Sequence, residues 1–168
     1  RSQREGLPDS AEIAVNESHP DWLVELLQAD WPDDWPAIVR ANNRIAPLWL
    51  RVNGGRAARA EVTDALQQQA IEFSLPEFPP GAIRLISAMA PTRLPGWDNG
   101  SITVQDISAQ LAAEALSIKP GETVWDMCAA PGGKSAQLSE ARPAALLLTD
   151  SDPARLDKVD ELLHRLGL

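Results

Sequence analysis

The chain has 168 residues, of which 44% are hydrophobic and 23% charged, a balance typical of a folded protein with one ordinary domain or two small ones. Its formal net charge of −9 argues against binding a phosphate backbone through bulk electrostatics, because proteins that do so usually carry a strong basic excess. The single cysteine, Cys128, excludes an internal disulfide and a zinc site built from several thiolates.

The first 17 residues, RSQREGLPDSAEIAVNE, are polar and show no sustained periodicity, which predicts a linker or the tail of an upstream domain. They lack the basic start and the apolar core of a secretory signal. No apolar run in the chain approaches the roughly 20 residues needed to cross a bilayer. We therefore expect a cytoplasmic protein with no membrane partner.

Residues 18–95 alternate between helical and β-prone segments, which predicts a small α+β domain. The predicted helices are HPDWLVELLQA, DWPAIVRANN and ARAEVTDALQQQA, and the predicted strands are PLWLRVN and AIRLISA. The stretch APTRLPGWDNG, residues 90–100, concentrates proline and glycine and is the predicted boundary to a second domain over residues 96–168.

After residue 100 strands and helices follow one another in turn, which is typical of a parallel, doubly wound α/β sheet. The predicted strands are SITVQD, ETVWDM and ALLLTD, and the predicted helices are ISAQLAAEALSI, KSAQLSEA and DPARLDKVDELLHRLGL. An open parallel sheet needs more strands than these to bury both of its faces. We therefore expect residues 96–168 to form the first part of a larger domain.

A stretch from Pro36 to Ala60 contains five arginines and no acidic residue, whereas residues 1–34 carry nine acids against two arginines. The stretch is a candidate anion-binding patch, and five solvated surface charges are the simpler alternative. The five side chains are Arg40, Arg44, Arg51, Arg56 and Arg59.

The string CAAPGGKS, which begins at Cys128, has a nucleotide-loop interpretation. A nucleoside triphosphate loop has the pattern G-x-x-x-x-G-K-[ST], in which both glycines let the backbone wrap around the phosphates. Gly133, Lys134 and Ser135 fit the end of that pattern, but Cys128 stands where the first glycine is required. The match therefore fails where backbone freedom matters most.

The alternative is the ligand site of open α/β sheets, in which an acid that ends the second strand bonds the ribose hydroxyls. Asp150 closes the strand ALLLT, 17 residues after Gly133, and Asp126 ends the strand before the loop. Small residues flanked by two acids suit S-adenosylmethionine, whose sulfonium and amino groups are cationic. In a purely structural alternative the glycines only turn the chain and the aspartates cap helices.

These residues also carry a family resemblance. DMCAAPGGKS followed by TDSDPARL resembles the first two cofactor-binding motifs of RNA cytosine-C5 methyltransferases, and SHPDWLVELL, RANNRIAPLWLRVN and LPGWDNGSITVQDISAQ extend the match upstream. Together they are similar to the bacterial Sun/Fmu (RsmB) family of 16S rRNA methyltransferases. The resemblance implies an RNA-recognition-like domain over 18–95, and the N-terminal part of a Rossmann-like methyltransferase domain over 96–168.

The resemblance also implies a site for S-adenosyl-L-methionine, in which the CAAPGGK loop holds the methionine part and an acid holds the ribose. The implied cofactor-binding residues are Cys128, Ala129, Ala130, Pro131, Gly132, Gly133, Lys134 and Asp150. In VQDISAQ, Gln105 and Asp106 match the family's entry into the methyltransferase domain, with helix capping by Asp106 as the simpler interpretation.

The implied reaction is methylation of C5 of a cytosine in 16S rRNA, or in a precursor of the small ribosomal subunit, by a monomer without a metal. In this family a cysteine thiolate on a later strand attacks C6 of the cytosine. Cys128 fits neither of the family's two cysteine positions, so no catalytic residue is assigned in this chain.

For this chain the resemblance implies an RNA-positioning domain and half of a cofactor site, without the family's N-terminal NusB-like domain and without activity in isolation. The five arginines between Arg40 and Arg59 become a candidate RNA face. The alternative is a non-catalytic module that binds RNA or S-adenosylmethionine.

Overall fold

The computed structural model describes residues 18–168, which divide into two compact units, one ending at Ala46 and the other spanning Pro47–Leu168. The linker predicted over residues 1–17 lies outside the described residues. Within the described part, no helix is both long and apolar enough to span a membrane.

The described residues of the first unit form two helices, α1 (Asp21–Asp30) and α2 (Trp35–Asn42), as the sequence predicts. Each helix buries one valine, Val24 in α1 and Val39 in α2. A proline lies in the first turn of α2, where a missing N–H costs nothing because those N–H groups have no partner within the helix.

The second unit begins with a four-stranded antiparallel sheet in the order β2-β3-β1-β4. Helix α3 (Arg59–Gln68) connects β1 to β2, and β3 lies between them, which gives the split β-α-β arrangement of ferredoxin-like folds. The predicted α+β fold is confirmed. The strands are β1 (Leu48–Val52), β2 (Phe73–Ser74), β3 (Ala82–Leu85) and β4 (Ile102–Val104).

The core of this sheet lies between the strands and α3. Leu50 on β1 is paired with Ile83 on β3 and with Val104 on β4, and Leu66 of α3 packs in the same cluster. Leu50, Leu66, Ile83 and Ile102 are completely buried. Burying a side chain of this size stabilises the fold by about 1.5–3 kcal/mol.

Strand β4 is placed differently from the prediction. The sequence assigns SITVQD to the parallel sheet, but β4 pairs antiparallel with β1, with Val52 opposite Ile102. The reason is burial, because Ile102 is 0% exposed and completes the core beneath β1. The domain division at residue 96 stays a prediction, and this sheet takes its last strand from beyond that position.

The predicted parallel pair is formed by β5 (Thr123–Asp126) and β6 (Ala145–Leu148). Helix α4 (Ile107–Ala115) precedes β5, α5 (Gly133–Glu140) connects the two strands, and α6 (Pro153–Leu166) follows β6. The strand-helix-strand order with parallel strands confirms the α/β class.

Residues 18–168 cover the parallel pair on one face only. Val124, Leu146 and Leu148 are partly buried, whereas Trp125 and Leu147 on the opposite face are 56% and 55% exposed. The sequence predicts a buried strand over ETVWDM, and the difference arises because a two-stranded sheet with helices on one face leaves the other face open.

Candidate cofactor site

The loop that joins β5 to α5 is tied to the end of β6 by backbone hydrogen bonds. The Ala129 N–H donates to the carbonyl oxygen of Thr149 at 3.0 Å, and the Ala130 N–H donates to Oδ2 of Asp150 at 3.1 Å. Within the loop, the Gly132 N–H donates to the Ala129 carbonyl at 2.7 Å. The predicted loop and the predicted ribose acid are therefore in direct contact at the carboxyl ends of two parallel strands.

Gly132 is the N-cap of α5 and has a φ of +101°, in the left-handed region that favours glycine. A Cβ built on it would lie 3.2 Å from the Cα and Cγ1 atoms of Val159 and from Cδ2 of Leu162. The loop therefore lies directly against α6, and both the conformation and the spacing require glycine.

Asp126, the acid before the loop, is held by groups from α5 and from the loop itself. Its Oδ2 accepts from the hydroxyl of Ser135 at 2.8 Å, and its Oδ1 accepts from the Cys128 N–H at 3.3 Å. Ser135 is 0% exposed. The sequence does not predict this contact, because Ser135 matches only the end of the nucleotide-loop pattern.

Asp150 is more enclosed than a surface acid, with a side chain that is only 1% exposed. Hydrogen bonds from the N–H groups of Asp152 and Ala130, together with the guanidinium of Arg155, hold the pKa of the Asp150 carboxyl below its usual range. Arg155 also donates from Nη2 to the Ala130 carbonyl at 3.1 Å. The contact between Arg155 and Asp150 is long, at 3.4 Å, and the Arg155 side chain is 45% exposed.

Arg155 is a site residue that the sequence reasoning missed. It lies in the first turn of α6, five residues after Asp150, and its only sequence signal is that position in TDSDPARL. It bridges the acid and the loop, so it stabilises the arrangement on which cofactor binding would depend.

We expect the lowered pKa of Asp150 to make the free energy of unfolding depend on pH. A carboxyl whose pKa is lower in the folded state contributes stability above its unfolded pKa of about 3.9, and this contribution is lost as the pH falls through the folded pKa. The free energy of unfolding, measured with urea, should therefore fall more between pH 6 and pH 3 for the wild type than for Asp150→Asn. Equal losses would contradict the hydrogen-bonded arrangement.

A cleft of about 310 Å³ opens beside the loop, between β5, α4 and α5. Trp125, Asp126, Met127 and Lys134 line its loop side, and Lys134 is exposed. Its lining residues include neither Asp150 nor residues 128–133, so the cleft adjoins the loop and does not contain the contacts between the loop and Asp150. Among the described residues, no cluster of three or more histidine, cysteine or acidic side chains forms a metal site.

The five arginines predicted to form an RNA face do not share one environment. Arg40 and Arg44 are exposed in the first unit. In the second unit, Arg56 donates to the carbonyl of Leu166 at 3.1 Å and Arg59 donates to the carbonyl of Pro76 at 3.4 Å. Both side chains remain accessible to solvent, since Arg56 is exposed and Arg59 is partly exposed.

Arg51 contradicts the prediction of a surface role. Its side chain is buried in the fold, at 2% exposure, and is ion-paired with Glu140 and hydrogen-bonded to Gln105. A buried guanidinium in such contacts cannot present its charge to RNA, so Arg51 does not belong to the predicted face. Gln105, predicted only as a match to a family motif, is its buried partner.

Asp106 is a helix cap, as the simpler interpretation predicts. Its carboxylate accepts from the Ser108 N–H at 2.8 Å at the start of α4. Hydrogen bonds from the Ser108 hydroxyl and N–H lower the pKa of Asp106. This residue therefore stabilises α4 and lies outside the loop contacts described above.

Comparison with protein families gives two matches along the chain. Residues 19–92 match the family described as Methyltr_RsmF/B-like, ferredoxin-like domain. Residues 113–168 match the family described as 16S rRNA methyltransferase RsmB/F. The first match agrees with the split β-α-β sheet, and the second contains the parallel pair and the glycine loop.

Individual relatives agree with these matches. The chain is 42% identical, over its whole length, to ribosomal RNA small subunit methyltransferase B of Yersinia enterocolitica, and it spans 39% of that relative. A solved methyltransferase homolog protein from Pyrococcus horikoshii is 25% identical with a TM-score of 0.80, covering 92% of this chain and 52% of that one.

A further structure, NSun6 from Pyrococcus horikoshii with SFG, has a TM-score of 0.80 at 15% identity, covering 88% of this chain and 63% of that one. At this identity the likeness shows the fold alone. The chain spans about two fifths of the length of the Yersinia relative.

Proposed function

We infer from the two family matches that the chain belongs to the RsmB/F family of 16S rRNA methyltransferases. We propose that its glycine loop and Asp150 form one wall of an S-adenosylmethionine site. The observation that carries the proposal is the hydrogen bond from the Ala130 N–H to the Asp150 carboxylate, which holds loop and acid side by side. Ligands of open α/β sheets bind at this position, outside the carboxyl ends of the strands.

The residues proposed to hold the cofactor have distinct tasks. Cys128, Ala129, Ala130, Pro131, Gly132, Gly133 and Lys134 would hold the methionine part, and Asp150 would accept hydrogen bonds from the ribose hydroxyls. When bound, S-adenosylmethionine supplies the methyl group. Asp126 lies beside the loop and adds a negative charge that favours a cationic ligand.

The proposed substrate is a cytosine of 16S rRNA, methylated at C5, in a cytoplasmic enzyme that acts as a monomer. Cys128 lies in the cofactor loop with its N–H bonded to Asp126, so we assign it to cofactor binding. The nucleophilic cysteine then comes from elsewhere in the complete product of the reading frame that contains this chain, called the complete gene product below.

A methyl-transfer assay tests this function. The complete gene product is incubated with methyl-labelled S-adenosylmethionine and 16S rRNA, and the RNA is digested to nucleosides. The proposal predicts label in 5-methylcytosine. Label in another nucleoside would contradict it, and binding of RNA or cofactor without transfer would favour the non-catalytic module.

We also propose that the exposed arginines near the antiparallel sheet and in the first unit contact RNA phosphates. Arg44→Gln combined with Arg56→Gln should weaken RNA binding and reduce the slope of log affinity against log salt by about 1.4, since each single-stranded phosphate contact contributes about 0.7. The control is Lys119→Gln with Arg142→Gln, which removes two exposed charges outside the stretch from Pro36 to Ala60. Equal slopes in the two double variants would contradict the assignment.

A further inference from the structure

The buried guanidinium of Arg51 joins the antiparallel sheet to the helix that begins at the glycine loop. Arg51 lies on β1 between the core residues Leu50 and Val52, so its side chain points to the opposite face of the sheet. There its Nε donates to Oε1 of Gln105 at 2.8 Å and its Nη1 is paired with the carboxylate of Glu140. A buried charge is costly unless it is paired, and Arg51 depends on these two contacts because its Nη2 is buried with no hydrogen-bond partner among the described residues.

The two partners of Arg51 lie at opposite ends of α5. Glu140 is the last residue of the helix, and its second oxygen accepts from the Gly54 N–H at 3.3 Å, just after β1. Gln105 lies beside Gly133, the first residue of the helix, because a Cβ on that glycine would be 4.0 Å from the Gln105 side chain. Arg51 therefore contacts the C-terminal end of this helix, which is about 12 Å long, and its partner Gln105 lies beside the first residue of the same helix.

Amide side chains extend these contacts along the helix. Gln105 donates from Nε2 to Oε1 of Gln137 at 3.2 Å, and Gln137 donates to the backbone carbonyl of Gln110 at 3.1 Å. Gln110 in turn donates to the carbonyls of Leu50 and Gln105 at 3.2 and 2.9 Å. Directed hydrogen bonds therefore link the helix to α4 and to the residues around β1.

The position of α5 determines the position of the loop. Gly132 caps the helix, and Ser135 in its first turn bonds Asp126 at the end of β5. We propose that Arg51 is a positioning residue for the cofactor site, acting through α5 although it does not touch the loop. This inference rests on the proposed function, because it concerns the same S-adenosylmethionine site.

Lysine cannot reproduce this role fully. The guanidinium directs separate N–H groups to Gln105 and Glu140, whereas an ammonium is a point charge on a flexible stem. We therefore expect a graded series in which Arg51→Lys retains part of the effect and Arg51→Met loses it. Arg84→Met is the matched control, because Arg84 lies exposed on the neighbouring strand β3.

Two measurements on the complete gene product test the proposal. Calorimetric titration with S-adenosylmethionine should show a Kd at least 10-fold higher for Arg51→Met, a smaller rise for Arg51→Lys, and no change for Arg84→Met. Amide hydrogen exchange should be faster at Ala129, Ala130 and Gly132 in Arg51→Met, while the Ile83 amide in the sheet stays unchanged. A purely stabilising ion pair would instead affect both regions or neither.

Glu140→Gln keeps the test decisive if circular dichroism shows that Arg51→Met is unfolded, since it removes one charge of the pair and leaves a side chain of the same size. The proposal is overturned if whichever of these variants is folded has a Kd for S-adenosylmethionine within twofold of the wild-type value, with amide exchange rates at Ala129, Ala130 and Gly132 also within twofold. Weaker RNA binding with an unchanged cofactor Kd would also overturn it. If the wild type fails to bind S-adenosylmethionine, the proposed function fails, and loop exchange still decides whether Arg51 holds the loop.

Discussion

Gly132→Ala is expected to lower the free energy of unfolding by about 2–5 kcal/mol and to weaken S-adenosylmethionine binding by the complete gene product at least 10-fold. The left-handed φ of +101° costs a residue with a Cβ about 1–2 kcal/mol. The new methyl group, 3.2 Å from the backbone of Val159 and from Leu162, adds about 1–3 kcal/mol of overpacking. Relief of that contact moves the loop away from α6, which disrupts the proposed site.

Gly121→Ala separates the two causes. Gly121 also has a positive φ, of +91°, but a Cβ there would lie within 4 Å of no atom in the described part of the chain. We expect this variant to lose only the conformational cost of about 1–2 kcal/mol and to bind the cofactor like the wild type. Urea unfolding followed by tryptophan fluorescence measures both losses. Equal losses in the two variants would show that the contact between loop and α6 is absent.

Asp150→Ala is expected to raise the Kd for S-adenosylmethionine by about 10- to 100-fold, the effect of losing hydrogen bonds to a charged acceptor. The variant removes the proposed ribose ligand and also the acceptor that holds the Ala130 N–H. Asp150→Asn keeps the size of the side chain and removes its charge, so we expect it to weaken binding as well. Isothermal titration of the complete gene product measures the change.

Asp152→Ala is the control for this prediction. Asp152 caps α6 by accepting from the Ala154 N–H at 3.0 Å, two residues from Asp150. Its loss should cost about 1 kcal/mol of stability, typical of an N-cap, without changing cofactor affinity. If Asp150→Ala binds as tightly as Asp152→Ala, the ribose assignment is wrong.

Local patterns in the sequence predicted every helix longer than one turn and five of the six strands of the described chain, because hydrophobic periodicity and capping residues act within one element. The exception was the two-residue strand β2, which is too short to show a period. The partner of β4 was not predicted either. The three residues of β4 do not by themselves indicate which strand they pair with. The pairing with β1 depends on the burial of Ile102 in the core of the antiparallel sheet.

The contact between the loop and Asp150 followed from topology, because parallel strands bring their carboxyl ends to one edge of the sheet. The burial of Arg51 did not follow from the charge of its neighbourhood. A window rich in arginine suggests a surface patch, whereas the alternation of Leu50, Arg51 and Val52 shows only that Arg51 faces away from the core. That α5 covers this second face depends on contacts between residues 89 positions apart.

The central claim is that the loop beginning at Cys128 binds the cofactor of a methyl transfer and not a nucleoside triphosphate. Isothermal titration of the complete gene product with S-adenosylmethionine, and separately with ATP and magnesium, tests it most directly. We predict binding of one S-adenosylmethionine per chain that Asp150→Ala weakens, and no heat of binding with ATP. Binding of ATP in place of S-adenosylmethionine would contradict the account.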